Sequence, residues 1–547
     1  MGVEQLDSDW WRGAVIYQIY PRSFQDSNGD GVGDLKGILR RLPYIAQLGA
    51  NAIWISPFFK SPMRDYGYDV SDYNDVDPIF GTLEDFDAVI VEAHRLGVKV
   101  IVDLVISHTS EEHPWFKESR SSRDNPRADW YVWADPSLDG TPPNNWLSMF
   151  GGPAWQWDTR REQYYFHNFL AEQPDLNFHN RDVQDALLEA TKFWLERGVD
   201  GFRLDTVNLY FHSQGLEKNP PLAPEDRDYS AAPAVNPYNY QDHIYDKNRP
   251  ENLDFLRRFR SLLDQYPEAA AVGEVSDAQR TLELVSAYTS GSERVHMCYL
   301  FDFLSPDKVN AQRVRKIVEE FEKAAADGWC CWAISNHDTT RAASRWASQE
   351  ADPVAHLKVV SALVMTIRGS FCIYQGEELG LPEAEIAFED LQDPYGIRFW
   401  PEFKGRDGCR TPMVWSSDIQ YGGFSDKKPW LPVPTNHQRL AVDTQEGDED
   451  SVLEHYRRML AFRASYPALT KGSISFVEAR DDLVAFMRSY EGQSVFCVYN
   501  LGSATESLEL RGLVVEELRI KGFQGEKDGD YVRLGPYQAW FGRAIER

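Results

Sequence analysis

The chain has 547 residues, of which 42% are hydrophobic, and its 85 acidic and 57 basic side chains give a formal net charge of −28. This length predicts more than one domain, or one large barrel with appendages. The negative charge argues against a nucleic-acid partner, because no basic stripe is present to offset repulsion from a phosphate backbone.

The chain starts with MGVEQLDSDWWRG, which lacks the basic and then apolar pattern of a leader. No apolar run is long enough to span a membrane. The six cysteines show no metal-type spacing, and several sit in apolar runs, as reduced buried thiols do. We therefore expect a cytoplasmic protein, a monomer or homodimer, with no membrane partner.

Eight short apolar runs recur along the chain, and helix-patterned segments lie between them. We predict that these runs are strands: AVIYQIYP, ANAIWISP, VKVIVDLVISH, GVDGFRLDTVN, AAVGEV, HMCYLFDF, CWAISNHD and SFCIYQGEELG. Three helical segments end in glycine, which suits a helix C-terminus: DLKGILRRLPYIAQLG, TLEDFDAVIVEAHRLG and QDALLEATKFWLERG. The repeats predict an α/β fold, a closed (β/α)8 TIM barrel, with an open doubly wound sheet as the alternative. No glycine-rich dinucleotide fingerprint follows the first strand, which weakens that alternative.

The stretch DSNGDGVGD, between the first predicted strand and the first predicted helix, holds four oxygen-bearing side chains among three glycines. Asp26, Asn28, Asp30 and Asp34 are hard oxygen ligands, and the glycines allow the backbone to fold tightly enough for them to converge. An EF-hand is not indicated, because Gly37 fills the closing glutamate position and a strand precedes the loop. The loop predicts a structural divalent-cation site, with a metal-free acidic turn as the alternative.

Two long segments interrupt the alternation of strands and helices. The first, rich in Trp, Pro, Asp and Asn, is too long for an ordinary loop and predicts an inserted subdomain after strand three. The second, about Leu381 to His437, follows strand eight. Alternating runs near the C-terminus (SISFVEA, LVAFMRSY, SVFCVYNL and YVRLG) predict an antiparallel β-domain. The predicted domains are the barrel (1–107 and 179–470), the inserted subdomain (108–178) and the C-terminal domain (471–547).

Polar side chains stand at the ends of several predicted strands. They are Asp103 and His108 on strand three, Arg203 and Asp205 on strand four, Glu274 on strand five, and His337 and Asp338 on strand seven. In a parallel barrel these C-terminal ends share one face, where the chemistry of the fold takes place. Any one of these groups alone is more often a satisfied structural residue. Because charges on apolar strands are costly unless they pair or face a wet cleft, the whole set predicts an active site.

Two carboxyl groups facing one reacting centre suit glycoside hydrolysis, in which one attacks carbon and the other delivers a proton. Arg203 lies two residues before Asp205 on the same strand face, so its guanidinium favours an ionised, nucleophilic carboxylate. Glu274 ends an apolar strand, which raises its pKa and keeps it protonated. Asp338 would then bind sugar hydroxyls and favour a distorted ring.

At these residues the sequence resembles the α-amylase family of retaining glycoside hydrolases (glycoside hydrolase family 13), and most of all its α-glucosidase and oligo-1,6-glucosidase branch. The segments DLVISH, GFRLDTVN, GEV and SNHD occur in the family's order, although Ser107 stands where many members have Asn. The resemblance covers nearly the whole chain. It implies that Asp205 is the nucleophile, Glu274 the general acid/base and Asp338 the transition-state stabiliser.

The resemblance also implies a set of glucose-binding residues. His108, Arg203 and His337 would bind the glucosyl ring. MRDYGYDVSDY resembles the segment that closes the glucose pocket, with Asp65 on the terminal hydroxyls and Tyr68 as a stacking platform. KGRDGCRTPMVW supplies an arginine partner for Asp65, either Arg406, which we favour, or Arg410. Such a pair would close the pocket around a non-reducing end, and Phe150 and Phe169 would line its rim.

Linkage preference and metal binding follow from the same resemblance. Thr206 follows the nucleophile, and in this branch threonine or alanine there accompanies α-1,4 cleavage, whereas valine accompanies α-1,6 cleavage. The DSNGDGVGD loop resembles the branch's single metal site, which holds calcium or magnesium as a clamp rather than as part of the chemistry. Its implied ligands are the side chains of Asp26, Asn28, Asp30 and Asp34 and the carbonyl of Val32.

Together these features predict a retaining, exo-acting α-glucosidase for maltose-like disaccharides and aryl or alkyl glucosides, with no organic cofactor. A transglucosylase is the chief alternative, because both reactions pass through a glucosyl-enzyme that either water or another hydroxyl resolves. An oligo-1,6-glucosidase is a second alternative. A non-catalytic carbohydrate-binding protein is less favoured, because the acid, nucleophile and stabiliser are all present.

Overall fold

The computed structural model of the protein describes residues 8–229, 232–277, 279–478 and 482–545. Eight parallel strands form its centre: β1 (Val15–Ile19), β2 (Ala52–Ile55), β3 (Lys99–Leu104), β4 (Gly201–Leu204), β5 (Ala270–Glu274), β6 (Met297–Tyr299), β7 (Cys330–Ala333) and β8 (Ser370–Tyr374). They close into a barrel in the hydrogen-bonded order β1-β8-β7-β6-β5-β4-β3-β2. The predicted TIM barrel is confirmed, and the open doubly wound sheet is wrong. The first seven residues of the segment predicted over 1–107 lie outside the described residues.

Alternating residues of the barrel strands pack into two different cores. Ile16, Trp54 and Val272 belong to a small cluster inside the barrel. Their strand neighbours, such as Tyr17 and Ile53, belong to a large cluster shared with the surrounding helices. Because successive side chains of a strand point to opposite faces and both faces are covered, the strands are mostly apolar, with polar exceptions such as Gln18, Asp103 and Arg203.

A long helix follows each barrel strand along the chain. The eight are α1 (Leu35–Leu48), α2 (Leu83–Arg95), α3 (Arg181–Glu196), α4 (Asn252–Leu263), α5 (Thr281–Thr289), α6 (Ala311–Ala324), α7 (Pro353–Thr366) and α8 (Val452–Ser465). The predicted glycines follow the ends of α1, α2 and α3 as Gly49, Gly97 and Gly198, each with a positive φ. Glycine takes this left-handed conformation without a Cβ penalty, which is why these helices end there.

The segment predicted as an inserted subdomain lies between β3 and α3. It contains a helix at Pro114–Ser119 and a three-stranded antiparallel sheet of Trp133–Ala134, Trp155–Asp158 and Gln163–Phe166. A separate two-stranded hairpin, Phe59–Lys60 with Asp72–Val76, precedes α2.

The long segment between β8 and α8 approaches the inserted subdomain over the barrel. Its ring contact is close, with Tyr395 stacked on Phe150 at 4.7 Å between ring centroids. The contact between Tyr395 and Phe150 makes the subdomain and the β8–α8 segment two walls of one cleft.

The remaining short α-helices of the described chain are Ala342–Arg345, Pro394–Phe399, Thr435–Gln438, Val442–Gln445 and Pro467–Lys471.

The C-terminal domain is antiparallel, as predicted. Its strands are β9 (Ser473–Phe476), β10 (Leu483–Tyr490), β11 (Gln493–Asn500), β12 (Glu506–Glu509), β13 (Val515–Leu518), β14 (Glu526–Asp528), β15 (Tyr531–Leu534) and β16 (Ala539–Ala544). They form a five-stranded sheet, β9-β10-β11-β16-β13, and a three-stranded sheet, β12-β15-β14. The sequence pattern did not indicate β12, β13, β14 or β16. The first three of these strands are short and rich in exposed charges, so they lack an apolar alternation.

The cysteines of the described residues agree with a further expectation. All six cysteines are free and buried. None of the described helices combines the length and the apolar character that crossing a membrane requires.

Candidate active site

A cavity of about 430 Å³ lies at the C-terminal ends of the barrel strands, beneath the inserted subdomain. Ten of the predicted site residues line it: Asp65, Tyr68, His108, Phe150, Phe169, Asp205, Thr206, Glu274, Asp338 and Arg406. Arg203 and His337, each 1% exposed, lie behind this lining and bond to it. The cavity volume is in the usual range for a small-ligand site.

The guanidinium of Arg203 is shared by three carboxyl groups. Its Nη1 lies 2.5 Å from Asp205 Oδ1 and 2.9 Å from Asp103 Oδ1, and its Nη2 lies 2.5 Å from Glu274 Oε1. The β3–β4 register places Asp103 directly opposite Arg203. The sequence paired Arg203 with Asp205 alone. The structure shows that the same side chain holds the nucleophile and acid/base candidates beside each other.

The pKa values of the carboxyl groups around the cavity move in opposite directions. Burial, with the charges of Asp205 and Asp338 adding to it against Arg203, raises the pKa of Glu274 to about 8. Although burial alone would raise the pKa of Asp338, His337 and the three arginines Arg406, Arg410 and Arg203 hold that pKa well below its ordinary value. Glu274 is therefore protonated at neutral pH and Asp338 is ionised, as a proton donor and a hydroxyl acceptor require.

Thr206 touches both catalytic candidates through a strained backbone. Its φ of 37° and ψ of 53° place it in the left-handed region, a costly conformation for a β-branched residue. In this geometry its main-chain N–H donates to Glu274 Oε2 (3.0 Å), and its hydroxyl donates to Asp205 Oδ2 (3.3 Å). The residue that resemblance connected with linkage preference therefore contacts both catalytic candidates.

The two predicted histidines are buried and hydrogen-bonded through both ring nitrogens. Gln18 Nε2 donates to His337 Nδ1 (2.7 Å), and the Tyr68 hydroxyl lies 2.6 Å from His337 Nε2. Burial lowers the pKa of His337 to about 3, against the charge of Asp338. In His108, Nδ1 lies 2.8 Å from the Ser107 hydroxyl and Nε2 lies 2.8 Å from the Tyr68 carbonyl.

The arginine partner of Asp65 is Arg406 and not Arg410. Arg406 Nη2 donates to Asp65 Oδ1 (2.8 Å) and to Asp393 Oδ1 (2.8 Å), and its Nη1 donates to Asp338 Oδ1 (3.2 Å). Arg410 instead donates to Asp338 Oδ1 (2.8 Å). These bonds join two arginines and three carboxylates into a network of alternating positive and negative side chains on one side of the cavity.

The rim of the cavity is aromatic, and its outer part is mostly apolar. Phe150 and Phe169 meet edge to face at 5.5 Å, and the Arg406 guanidinium lies 5.0 Å from the Phe150 ring centroid. The outer lining includes Met149, Tyr229, Pro233, Phe301, Leu304 and Phe403. The cavity thus has a charged inner part and an apolar mouth.

Residues 18–472 match the family model described as alpha amylase, catalytic domain. The chain belongs to the alpha-amylase family. It is 64% identical over 537 residues to the probable alpha-glucosidase of Rhizobium meliloti (strain 1021), covering 98% of this chain and 97% of that protein. It is 35% identical over 570 residues to an oligo-1,6-glucosidase of Halalkalibacterium halodurans, covering 98% of this chain and 99% of that protein.

A solved structure is equally similar along its length. The crystal structure of the alpha-glucosyl transfer enzyme XgtA matches with a TM-score of 0.95 at 54% identity, covering 98% of this chain and 99% of that chain. The predicted alpha-amylase family and its α-glucosidase and oligo-1,6-glucosidase branch are confirmed. This alpha-amylase family member is therefore an enzyme, and its homologues are glycoside hydrolases.

Several polar residues of this alpha-amylase family site were not predicted. Gln18 and Asp393 bond to predicted residues, and Gln173 Nε2 donates to Asp65 Oδ2 (3.3 Å). Asp103 stood out as a strand end but received no role. Gln173 and Asp393 lie in irregular segments, where no periodic pattern could single them out. Gln18 is one polar residue within the apolar first strand, and that anomaly was the available signal.

The acidic loop predicted to bind metal connects β1 to α1 and is absent from the cavity lining. Asp26 Oδ1 accepts from the main-chain N–H groups of Asn28 (2.9 Å) and Gly29 (2.7 Å). Asp34 Oδ2 accepts from Ser27 N (2.8 Å), and its Oδ1 caps α1. The carboxylates of Asp26 and Asp34, at the two ends of the loop, thus accept from main-chain N–H groups of one short stretch, residues 27–29.

The same loop is joined to the segment that follows β8. Asp26 N donates to Phe424 O (3.0 Å), and the Ser425 hydroxyl donates to Asp26 Oδ2 (2.5 Å). Gly31 has a φ of +91°, and a Cβ added there would lie 2.3 Å from Lys428 O. Any larger residue would push the two segments apart.

The loop side chains are of the chemical type that a hard divalent cation binds, although the described residues contain no group of three or more His, Cys, Asp or Glu side chains placed to hold a metal ion. The ligand atoms would be carboxylate and amide oxygens. Each carboxylate oxygen of Asp30 and Asp34 accepts one hydrogen bond and can take a further partner, whereas Asp26 already accepts two hydrogen bonds at each of its oxygens. Among the described residues, Asp26, Asp30 and Asp34 form no ion pair with lysine or arginine within 4.0 Å. Asn28 Oδ1 accepts from Asp30 N (2.9 Å), and Asp30 Oδ1 accepts from Val32 N (2.9 Å).

Proposed function

We propose that this enzyme is a retaining, exo-acting α-glucosidase that releases glucose from short α-glucosides. The observation that supports this most directly is the shared guanidinium, with Arg203 bonded to Asp205 and Glu274 at 2.5 Å each. A retaining mechanism needs a nucleophile and an acid close together, with carboxyl groups about 5–5.5 Å apart. Two carboxyl groups on one guanidinium support such a closely spaced pair.

The mechanism assigns a step to each group around the cavity. Protonated Glu274 donates its proton to the glycosidic oxygen while Asp205 attacks the anomeric carbon, which gives a covalent glucosyl-enzyme and the free leaving group. Ionised Glu274 then removes a proton from water, which attacks the same carbon and releases glucose with its configuration retained. Asp338, held ionised by Arg406 and Arg410, binds ring hydroxyls and favours the distorted ring.

The inner wall of the cavity supports action on chain ends. Asp65 is 4% exposed and held by Arg406, so its carboxylate faces the cavity without room for a further sugar behind it. His108 and Tyr68 border the same inner part of the cavity. We infer that this part takes one terminal glucosyl unit. Thr206 beside the nucleophile supports preference for α-1,4 over α-1,6 linkages.

A transglucosylase is the second candidate, and the apolar lining of the outer cavity supports it. The apolar mouth, which includes Phe301 and Leu304, can hold the apolar part of an aryl or alkyl alcohol next to the glucosyl-enzyme. The structural relative XgtA is described as an alpha-glucosyl transfer enzyme. Such an acceptor would replace water in the second step while the first step stayed the same.

A product time course with maltose, isomaltose and sucrose tests the proposed function. We expect glucose release from maltose to exceed release from isomaltose, with the α-anomer of glucose appearing first in proton NMR spectra. Oligosaccharides or glucosides as the main products would instead support the transglucosylase. No colour from p-nitrophenyl α-glucoside at any pH from about 5 to 9, the working range of such carboxyl groups, would contradict both candidates.

We also propose that the loop from Asp26 to Asp34 binds calcium or magnesium as a structural clamp. When bound, the ion would neutralise the loop carboxylates and strengthen the junction with Phe424 and Ser425. Binding only to the folded state stabilises it, by about 2.7 kcal/mol at a hundredfold excess over Kd.

Chelation is therefore expected to lower thermal stability more than the initial rate. Treatment with EDTA should lower Tm by several degrees, and added calcium or magnesium should restore it. Asp30→Asn should show the same loss without chelator and a smaller response to added metal. An initial rate that vanished on chelation while the protein stayed folded would contradict the structural role.

A further inference from the structure

The turns that carry Asp205 and Glu274 are joined by a reciprocal amide contact, which we call the amide clasp. Its members are the side chain of Asn208, after β4, and the peptide groups of Ser276, after β5. Ser276 N donates to Asn208 Oδ1 (3.0 Å), and Asn208 Nδ2 donates to Ser276 O (3.1 Å). Asn208 is 1% exposed, so water does not compete for these bonds.

A charged group secures the amide clasp from the other side. Lys247 Nζ donates to Ser276 O (3.3 Å) and lies 3.2 Å from Asp277 Oδ2, with both side chains nearly buried. Asn248 Nδ2 donates to the same Asp277 oxygen (2.7 Å), and its Oδ1 accepts from Asn208 Nδ2 (2.7 Å). Although burial alone would raise the pKa of Asp277, Lys247 lowers it to about 2, so the pair is ionised at neutral pH.

The amide clasp and Lys247 form a chain between the two catalytic turns. Asn208 lies three residues after Asp205, and Ser276 lies two residues after Glu274. Ser276 and Asp277 also line the cavity. The nucleophile has independent support, since Arg203 bonds its side chain and Leu104 O accepts its main-chain N–H (3.2 Å). The carboxyl of Glu274 is held by Arg203 and Thr206 N, but the main chain beyond it is held only by a long bond from Val275 N to Tyr299 O (3.5 Å) before it reaches the clasp at Ser276.

We propose that Asn208 and Lys247 are positioning residues that fix the main chain after β5, and with it the proton-donating carboxyl of Glu274, at the glycosidic oxygen. The inference rests on the proposed glycoside-cleaving function. It assigns these residues no contact with substrate. Displacement of a reacting group by 1 Å can cost about 10²-fold in rate, so loosening this segment should impair proton delivery.

Substrates that differ in their need for a proton separate this role from a general structural one. Maltose leaves as a poorly acidic sugar hydroxyl and needs Glu274 as an acid, whereas fluoride departs from α-glucosyl fluoride with little protonation. In Asn208→Ala and Lys247→Met we expect kcat/KM for maltose to fall about 30-fold. For α-glucosyl fluoride we expect a loss of less than about threefold, because nucleophilic attack by Asp205 is unchanged.

Matched variants control for the substitutions themselves. Asn500→Ala removes an equally buried amide that donates to Ala504 O (2.7 Å) and accepts from Gly502 N (3.0 Å) in the C-terminal domain. Lys99→Met removes a lysine that pairs with Asp200 (3.1 Å) and Glu268 (3.2 Å), at the opposite end of β3 from the cavity. Both controls should keep the wild-type ratio of the two kcat/KM values, whatever they do to Tm.

Two outcomes would overturn the proposal. One is an equal loss with both substrates in Asn208→Ala and Lys247→Met, which would show a structural role alone. The other is a wild-type ratio with no loss. A wild-type protein that cleaves neither substrate would instead refute the proposed function, so failure of the two inferences can be told apart.

Discussion

Replacing Asp205 by asparagine is expected to lower kcat/KM for maltose by at least about 10⁴-fold, because an amide is too weak a nucleophile. The fold should persist, since asparagine has nearly the same shape and its carbonyl oxygen can still accept from Arg203. Asp103 and Glu274 also remain to balance the guanidinium. The measurement is the initial rate of glucose release together with thermal unfolding of the same preparation.

Asp158→Asn is the matched control for this variant. Asp158 is also buried and accepts from an arginine, Arg120 Nε at 2.8 Å, but it lies in the inserted subdomain and outside the cavity lining. The control should keep most of its activity. If Asp205→Asn retained a rate within tenfold of the control, Asp205 would not be the nucleophile.

Replacing Glu274 by glutamine is expected to lower kcat/KM for maltose by about 10²–10⁴-fold, the usual contribution of a general acid. Glutamine cannot donate the proton that the glycosidic oxygen needs. The loss should be much smaller with α-glucosyl fluoride, because kcat/KM reports the first irreversible step and fluoride needs little protonation. Initial rates with the two substrates measure the difference. Glu322→Gln is the control, since Glu322 also pairs with an arginine, Arg368 at 2.7 Å, outside the cavity lining.

The pH dependence of this reaction follows from the pKa of Glu274, which burial raises to about 8. The residue acts as an acid only when it is protonated, so kcat/KM for maltose should be high below pH 8. Above it the rate should fall about tenfold per pH unit, as the fraction of protonated Glu274 does. In Glu274→Gln this alkaline decline should disappear. An unchanged decline in the variant would assign it to another group.

Much of the barrel and of its reacting face could be predicted because the signals are local. A barrel strand is buried on both faces, so its residues are apolar regardless of the neighbouring strand. The polar residues Asp205, Glu274 and Asp338 interrupt those apolar runs at their C-terminal ends. Since all parallel strands present these ends to one face, the positions along the chain were enough to bring the three together. The resemblance added the identity of the reaction.

The short strands of the C-terminal domain show where this reasoning stops. β14 (Glu526–Asp528) is fully exposed, so it carries no hydrophobic pattern, and only its pairing with β15 makes it a strand. β16 (Ala539–Ala544) is mostly buried, but its neighbours in the sheet are the distant strands β11 and β13. Pairing between segments far apart in sequence leaves little trace in either segment alone.

The sequence by itself determined the barrel and which carboxyl groups face its open end. The spacing of apolar runs predicts the buried strands, and the positions of the acidic residues at the ends of those runs predict the shared face. Only the tertiary structure decided how their side chains pair. In the folded chain Arg203 pairs with three carboxyl groups, and Arg406 rather than Arg410 pairs with Asp65. Asn208 is hydrogen-bonded to Ser276. These contacts depend on strand register and on the paths of long loops, and their distances are set in three dimensions after distant segments have packed.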